Sequence, residues 1–178
     1  MDDPLKGLSE IRKTRGLPPV EKWNPPYCGE IDIHVKRDGT WFYMGTPIGR
    51  PELVRLFSNI LWREDDDYFL VTPIEKVKIK VDDAPFLAID FDLIDGAIHF
   101  TTHTGDEMIA SNVNPIKVVI SEDDEPAPYI LVRRNLWALI DRKSFYRLID
   151  IGEIEGEMFG IRSQEIFFPI IEANKLDH

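Results

Sequence analysis

The chain has 178 residues, of which 43% are hydrophobic and 30% are charged, a composition typical of folded globular proteins. Its 21 Lys and Arg against 32 Asp and Glu give a net charge of −11, which repels nucleic-acid backbones and anionic lipid surfaces. The length suits one medium domain or two small ones, and the charge argues against nucleic acid or a membrane as the partner.

Cysteine and histidine usage argues for a cytoplasmic protein without a cofactor or a bound metal. The one cysteine, Cys28, can form no internal disulfide, and we expect it to be a small buried side chain. His99 and His103 lie too far apart along an extended strand to chelate one zinc ion. No apolar run approaches the roughly 18 residues of a membrane span, and no phosphate loop, dinucleotide fingerprint or recognisable catalytic motif is present.

Residues 1–29 are predicted to form a short helix and a proline-rich strap. Asp3 and Pro4 are typical of a helix start, and the expected apolar stripe comprises Leu5, Leu8 and Ile11. Prolines then exclude regular structure over 17–26, a segment that we expect Trp23 to hold against the fold.

Residues 30–84 are predicted to form a first α+β sub-domain. Alternating apolar and polar residues predict its strands at 30–36 and 76–81, and continuous runs of aromatic and aliphatic residues predict strands at 41–44 and 68–71. Asp38-Gly39 is typical of a tight hairpin turn between the first two strands. A helix is expected to begin near Pro51, and its apolar face is predicted to comprise Leu53, Leu56, Phe57, Ile60 and Leu61.

Residues 85–178 are predicted to form a second α+β sub-domain. Its expected strands lie at 86–93, 97–102, 116–120, 129–132 and 166–170. Asp95-Gly96 predicts a hairpin between the first two, and the apolar run 136–140 leads into a helix that ends near Gly152.

Two copies of one pattern indicate an internal duplication. The pattern Ile-x-Arg-x-x-apolar-x-Arg-Leu-apolar occurs at 48–57 and at 140–149, and each copy is followed by an apolar run that ends at Pro73 or Pro169. The predicted fold is therefore α+β, with two related sub-domains that each pair a mostly antiparallel, curved sheet with a helix.

Arginine at the start of both repeat helices is the feature of greatest functional interest. The N-terminal end of a helix carries partial positive charge, so Arg50 and Arg142 each call for a negative partner. One explanation is a carboxylate of the protein itself, such as Glu52 or Glu75. The other is an anionic ligand, because backbone N–H groups and a guanidinium together bind phosphate or carboxylate.

Further candidate ligand-binding residues lie near these helices in sequence. Thr72, Glu75 and Lys76 gather a hydroxyl, a carboxylate and an ammonium where Pro73 interrupts a strand, although a strand end with a surface ion pair is the alternative. Arg133 adds positive charge. The predicted pocket walls are Trp41 and Trp137, which precede the two repeat helices, although aromatic side chains are first of all core residues.

The combination of several motifs resembles a known bacterial family. The motifs are Asp38-Gly39-Thr40-Trp41, Gly45-Thr46-Pro47-Ile48-Gly49-Arg50, Leu56-Phe57, Thr72-Pro73-Ile74-Glu75-Lys76 and Asp82-Asp83-Ala84-Pro85-Phe86. Together they resemble domain-of-unknown-function family twelve eighty-five over about 19–169. The resemblance implies a duplicated core whose C-terminal half is pleckstrin-homology-like, a site for a nucleotide-like ligand between the halves, and a role in bacterial signal transduction. It implies no catalytic residues.

These observations favour a cytoplasmic regulatory or signal-transduction protein that binds a small anion between the two sub-domains, and nucleotide-like molecules are one class of such anions. Arg50, Arg133 and Arg142 are predicted to meet the anion. The alternative is a protein-interaction module that has no ligand pocket. An enzyme is the third hypothesis, and it requires a buried carboxylate or histidine that the sequence does not reveal.

Overall fold

The computed structural model describes residues 5, 7–12 and 16–176, apart from the side chains of residues 9 and 10. The chain divides into two compact units, Met1–Pro85 and Phe86–His178. This division lies one residue beyond the boundary expected from the sequence. Among the described helices, none is long and apolar enough to cross a membrane.

The first unit is built on a six-stranded sheet. In chain order its strands are β1 (Tyr27–Val35), β2 (Trp41–Tyr43), β3 (Thr46–Pro47), β4 (Leu61–Glu64), β5 (Asp67–Val71) and β6 (Lys76–Val81). They lie in the order β3-β2-β1-β6-β5-β4. The two central strands, β1 and β6, are parallel, and every other neighbouring pair is antiparallel.

Period-two alternation explains which face of this sheet is buried. Ile33 and Val35 of β1 and Val77 and Ile79 of β6 are buried, as the alternation predicts. The lysines of β6 alternate with those apolar residues and are half-buried or exposed. The sequence therefore identified the core face of both central strands correctly.

The described residues of the first unit form two α-helices, α1 (Leu8–Ile11) and α2 (Pro51–Asn59). They also form one turn of 3-10 helix at Val20–Lys22, inside the proline-rich segment that was expected to have no regular structure. The expected helix start at Asp3 and Pro4 lies outside the described residues. The predicted apolar stripe that follows it is confirmed, because Leu5, Leu8 and Ile11 are all buried.

Helix α2 starts at Pro51, as predicted, but ends earlier than its apolar spacing indicates. Leu53 and Phe57 are buried one turn apart, and Phe57 stacks on Trp41 with ring centroids 6.1 Å apart. The assignment of Leu61 to the helix is wrong. Leu61 begins β4, where it pairs with Leu70 of β5, and the sheet supplies the backbone partners that one more helical turn would have supplied.

The expectation that Cys28 is buried is also wrong. The residue lies at the start of β1 beside the exposed Tyr27, where the sheet face is not covered. Its Sγ donates to the carbonyl oxygen of Pro26 at 3.3 Å.

The second unit contains a six-stranded sheet and a separate three-stranded sheet. The strands of the larger sheet are β7 (Phe86–Ile94), β8 (Ala97–Thr102), β9 (Glu107–Ile109), β10 (Ile116–Ile120), β11 (Pro126–Arg133) and β12 (Leu136–Ile140). After helix α3 (Arg142–Asp150), the smaller sheet comprises β13 (Glu153–Glu155), β14 (Met158–Ser163) and β15 (Ile166–Glu172).

Both six-stranded sheets have the same topology. The second has the order β10-β11-β12-β7-β8-β9, so its first and sixth strands, β7 and β12, are the central parallel pair, as β1 and β6 are in the first unit. This equivalence agrees with two sheet-rich halves that arose by duplication.

The helices do not hold equivalent positions in the two units. Helix α2 connects the third and fourth strands of its sheet, whereas α3 follows the sixth strand of the other. The sheets therefore carry the structural correspondence more closely than the helix pattern that first suggested it. The pleckstrin-homology-like character of the second half stays a prediction.

Candidate functional site

A basic depression of about 370 Å³ lies along helix α2 in the first unit. Three arginines contribute to its wall, which is the densest positive charge among the described depressions. Its lining residues are Arg12, Arg50, Glu52, Leu53, Arg55, Leu56 and Asn59. The volume lies within the range of about 300–1,000 Å³ that is typical of small-molecule sites.

Local sequence explains how this surface forms. Glu52, Arg55 and Asn59 recur at helical spacing, so α2 turns them to one side while it buries Phe57 on the other, and the buried Leu53 lies at the edge of the depression. Arg50 precedes Pro51, which favours extended backbone, and its φ of −102° and ψ of 108° place it at the N-cap outside the helix.

The N-terminal end of α2 adds to the positive charge. The N-cap residue, Arg50, makes no side-chain capping hydrogen bond, and the first helical residue is a proline. Glu52 supplies one negative charge in the first turn. The depression is thus lined by three positive groups and one negative group beside a partially positive helix end.

Helix α3 resolves the same electrostatic problem differently. Its N-cap is Asp141, whose Oδ1 accepts a hydrogen bond from the Ser144 backbone N at 2.9 Å. Arg142, the first helical residue, is therefore next to a carboxylate that caps the helix. The two arginines of the repeated pattern have different surroundings, and only Arg50 lines the basic depression.

A small apolar niche of about 90 Å³ adjoins the depression. Residues around the β3–α2 connection enclose it: Tyr43, Thr46, Pro47, Ile48, Gly49, Arg50, Leu53 and Phe57. Arg50 and Leu53 border both the niche and the basic depression.

Of the predicted group, Thr72 and Glu75 lie in the turn between β5 and β6, and Lys76 is the first residue of β6. Thr72 is fully buried, and its backbone N donates to the Glu75 carbonyl oxygen at 2.8 Å. The Lys76 ammonium pairs with Glu64 at 2.5 Å and lies 4.4 Å from the Phe69 ring centroid. These contacts hold the strands together, and the three residues do not line the described basic depression.

Arg133, predicted to meet an anion, already has a carboxylate partner. Its Nη1 donates to Asp106 Oδ1 at 2.7 Å, and its guanidinium lies 5.0 Å from the Phe86 ring centroid. The Asp106 Oδ2 accepts hydrogen bonds from Thr102 at 2.8 Å and Thr104 at 2.5 Å. Burial raises the pKa of the Asp106 carboxyl, but the Thr104 hydrogen bond and the Arg133 charge together hold it below its usual value.

The two predicted tryptophan walls lie elsewhere. Trp41 is only 1% exposed and packs behind Phe57 in the core of the first unit. Trp137 is half-buried on β12, and the Lys117 ammonium lies 4.0 Å from its ring centroid. Of the predicted binding residues, the depression contains Arg50.

Sequence reasoning missed Arg12, Arg55 and Asn59. Helical spacing from Glu52 could have found Arg55 and Asn59, because they lie three and seven residues further along α2. No local pattern could have found Arg12, because its place beside α2 depends on tertiary packing of the segment after α1.

A second depression, of about 770 Å³, lies over β1, β5 and β6, but its charges compensate one another. Lys78 pairs with Asp67 at 3.2 Å, and His34 Nε2 lies 2.6 Å from Asp82 Oδ1. The hydrogen bond from His34 lowers the pKa of the Asp82 carboxyl. No group of three or more potential metal ligands occurs among the described residues.

Comparison with known families gives matches over nearly the whole chain. Residues 18–84 match the family model described as the N-terminal domain of the domain of unknown function DUF1285. Residues 85–170 match the C-terminal domain of the protein of unknown function DUF1285. A search of curated proteins gives no match.

Two solved structures are similar to this chain. A DUF1285 family protein from Silicibacter pomeroyi DSS-3 is 52% identical, with a TM-score of 0.90 over 96% of this chain and 97% of that one. A DUF1285 family protein from Shewanella baltica OS155 is 29% identical, with a TM-score of 0.54 over 66% of this chain and 90% of that one.

Proposed function

The chain belongs to the DUF1285 family, and we propose that it is a regulatory protein that binds a small anion in the arginine-lined depression of its first unit. The observation that carries the proposal is the convergence of Arg12, Arg50 and Arg55 on one depression in a chain of net charge −11.

Electrostatics favours an anion at this place. Like charges gathered around one depression repel one another, and the N-terminal end of α2 adds to that repulsion. A phosphate or carboxylate would relieve it, because guanidinium groups bind both with charge-assisted, often bidentate, hydrogen bonds. The residues that line the depression include three arginines and one carboxylate, Glu52.

The residues that line the depression also indicate how a nucleotide would bind there. The described residues of the depression include no aromatic side chain, so the wall offers a nucleobase no stacking surface. A nucleotide would bind there mainly through its phosphates. The protein would have a signalling role if binding of the anion changed its contacts with a partner.

Thermal-shift and calorimetric titrations with inorganic phosphate, pyrophosphate and AMP test the proposal. Arg50→Ala should weaken binding about 5- to 30-fold, which corresponds to one or two kcal/mol for a partly exposed charged contact. Arg37→Ala is the matched control, because this exposed arginine lies in the same unit and pairs with Asp83 rather than lining the depression. Equal affinities for wild type and Arg50→Ala, or no binding by any of the three anions, would refute the proposal.

Exposed apolar residues in the second unit favour a protein-interaction module as the second candidate. Tyr146 on α3 and Ile154 on β13 are both 59% exposed, and Ile151 between these elements is 41% exposed. β13 is also an edge strand of its three-stranded sheet. A bacterial pull-down would support this function if Ile154→Lys abolished a stoichiometric partner and Arg50→Ala did not.

A further inference from the structure

The apolar niche gives the proposed anion site a second, chemically different compartment. We infer that the ligand is an amphipathic anion, whose charged group meets the arginines and whose short aliphatic group enters the niche. This inference rests on the proposed function. Its structural basis is that Arg50 and Leu53 border both the basic depression and the niche.

The walls of the niche suit a saturated hydrocarbon group. Ile48, Leu53 and Phe57 contribute apolar side chains, with Pro47 and Tyr43 completing the wall. An apolar group there leaves water without giving up hydrogen bonds, so its burial is favourable.

The volume of the niche limits the size of that group. About 90 Å³ is roughly three times the ~30 Å³ share of a liquid water molecule, and it is smaller than the ~150 Å³ apolar cavity known to hold benzene. The niche therefore accommodates about three or four carbon atoms and excludes a nucleobase. Branched or straight-chain short alkyl groups fit this description.

Gly49 is a position in the wall of the niche at which side-chain volume can be added. It lines the niche, an added Cβ would meet no atom within 4 Å, and its φ lies outside the left-handed region. A larger side chain is therefore compatible with the backbone. Gly49→Leu should occupy the niche, whereas Gly49→Ala changes the backbone freedom equally but leaves most of the space open.

Monoalkyl phosphates test the inference because their charged group is constant. The probes are inorganic phosphate and the methyl, propyl, isobutyl and octyl esters, titrated calorimetrically into the full chain. Burial of each additional methylene should strengthen binding up to about fourfold. We expect isobutyl phosphate to bind about 10- to 50-fold more tightly than methyl phosphate, and octyl phosphate to gain little beyond it.

Variants locate the alkyl group. Gly49→Leu should remove the preference for isobutyl over methyl phosphate. Gly49→Ala should keep most of the preference, and Arg50→Ala should weaken every probe. If Gly49→Leu does not fold, the wild-type series alone decides the question.

The outcomes separate the two proposals. Binding of inorganic phosphate with no dependence on chain length would overturn the inference and leave the anion site intact. A chain-length preference that survives in folded Gly49→Leu would also overturn it, because the alkyl group would then lie outside the niche. Failure of every probe to bind would refute both the inference and the anion site.

Discussion

Replacing Arg133 with alanine should destabilise the second unit without weakening anion binding. The Arg133 and Asp106 side chains are 13% and 17% exposed, and their charged atoms are 2.7 Å apart. Removing the arginine would leave the Asp106 carboxylate largely buried beside two threonine hydroxyls, with no compensating positive charge from Arg133. The expected result therefore differs from the ligand-contact role that the sequence suggested for Arg133.

The magnitude follows from the burial of the pair. Breaking a fully buried ion pair costs about 3–5 kcal/mol, and the residual exposure of both side chains places the expected cost near the lower limit, about 3 kcal/mol. At about 4–8 °C per kcal/mol for a unit of this size, the Tm should fall by at least ~12 °C.

Differential scanning calorimetry measures this effect, with Arg142→Ala as the matched control. Arg142 is exposed at the start of α3, so its replacement should change the free energy of unfolding by less than about 0.5 kcal/mol. A Tm change below about 4 °C for Arg133→Ala, together with loss of phosphate binding, would refute the structural role of Arg133.

Three further predictions concern the second unit. The pKa of Asp106 in the folded state lies below its usual 3.8, so the ionised carboxylate should stabilise the unit above pH 3.8, and this contribution should be lost as the pH falls below that value. Calorimetry should therefore show that the Tm difference between wild type and Asp106→Asn shrinks below pH 3.8. Asp141→Ala should lower the free energy of unfolding by about 1 kcal/mol, because it removes the α3 cap, and urea unfolding measures this change. An unchanged free energy of unfolding would refute the capping role. Gly160→Ala should cost more than about 2 kcal/mol in the same assay, because its Cβ would lie 2.3 Å from the Phe168 carbonyl oxygen; wild-type stability would contradict this close packing.

Local sequence signals predicted much of the fold. Asp95 and Gly96 both have positive φ, as the tight turn predicted from this pair requires, and β7 and β8 pair on either side of it. The central strands of the first sheet and the start of α2 were equally recognisable, because their side-chain periods are undisturbed. These features depend on neighbours close in sequence.

Elements that depend on pairing partners were missed. Leu61 fits the apolar spacing of α2, but it pairs with Leu70 of β5 and therefore belongs to β4. Strand β13 (Glu153–Glu155) contains one apolar residue, Ile154, which is too few to show a period, so its assignment depends on pairing with β14. Sequence periodicity cannot identify strands whose partners supply most of the signal.

Of the residues that line the candidate site, the sequence predicted one, Arg50, from a local signal. Arg50 stood out because arginine is electrostatically unfavourable at a helix start, and it does line the basic depression. Arg133 was predicted to meet the anion because it adds positive charge near the second helix in sequence, yet its partner Asp106 lies 27 residues away and could not be identified from spacing. Charge alone does not distinguish an arginine that awaits a ligand from one that the fold has already paired.

Mapping a phosphate titration by amide NMR tests the central claim most directly. We expect the largest chemical-shift changes at Glu52, Leu53 and Arg55 in the first turns of α2, with smaller changes at Asn59, and we expect Arg50→Ala to reduce them all. Shift changes confined to the second unit, or an unchanged map in Arg50→Ala, would contradict an anion site in the arginine-lined depression.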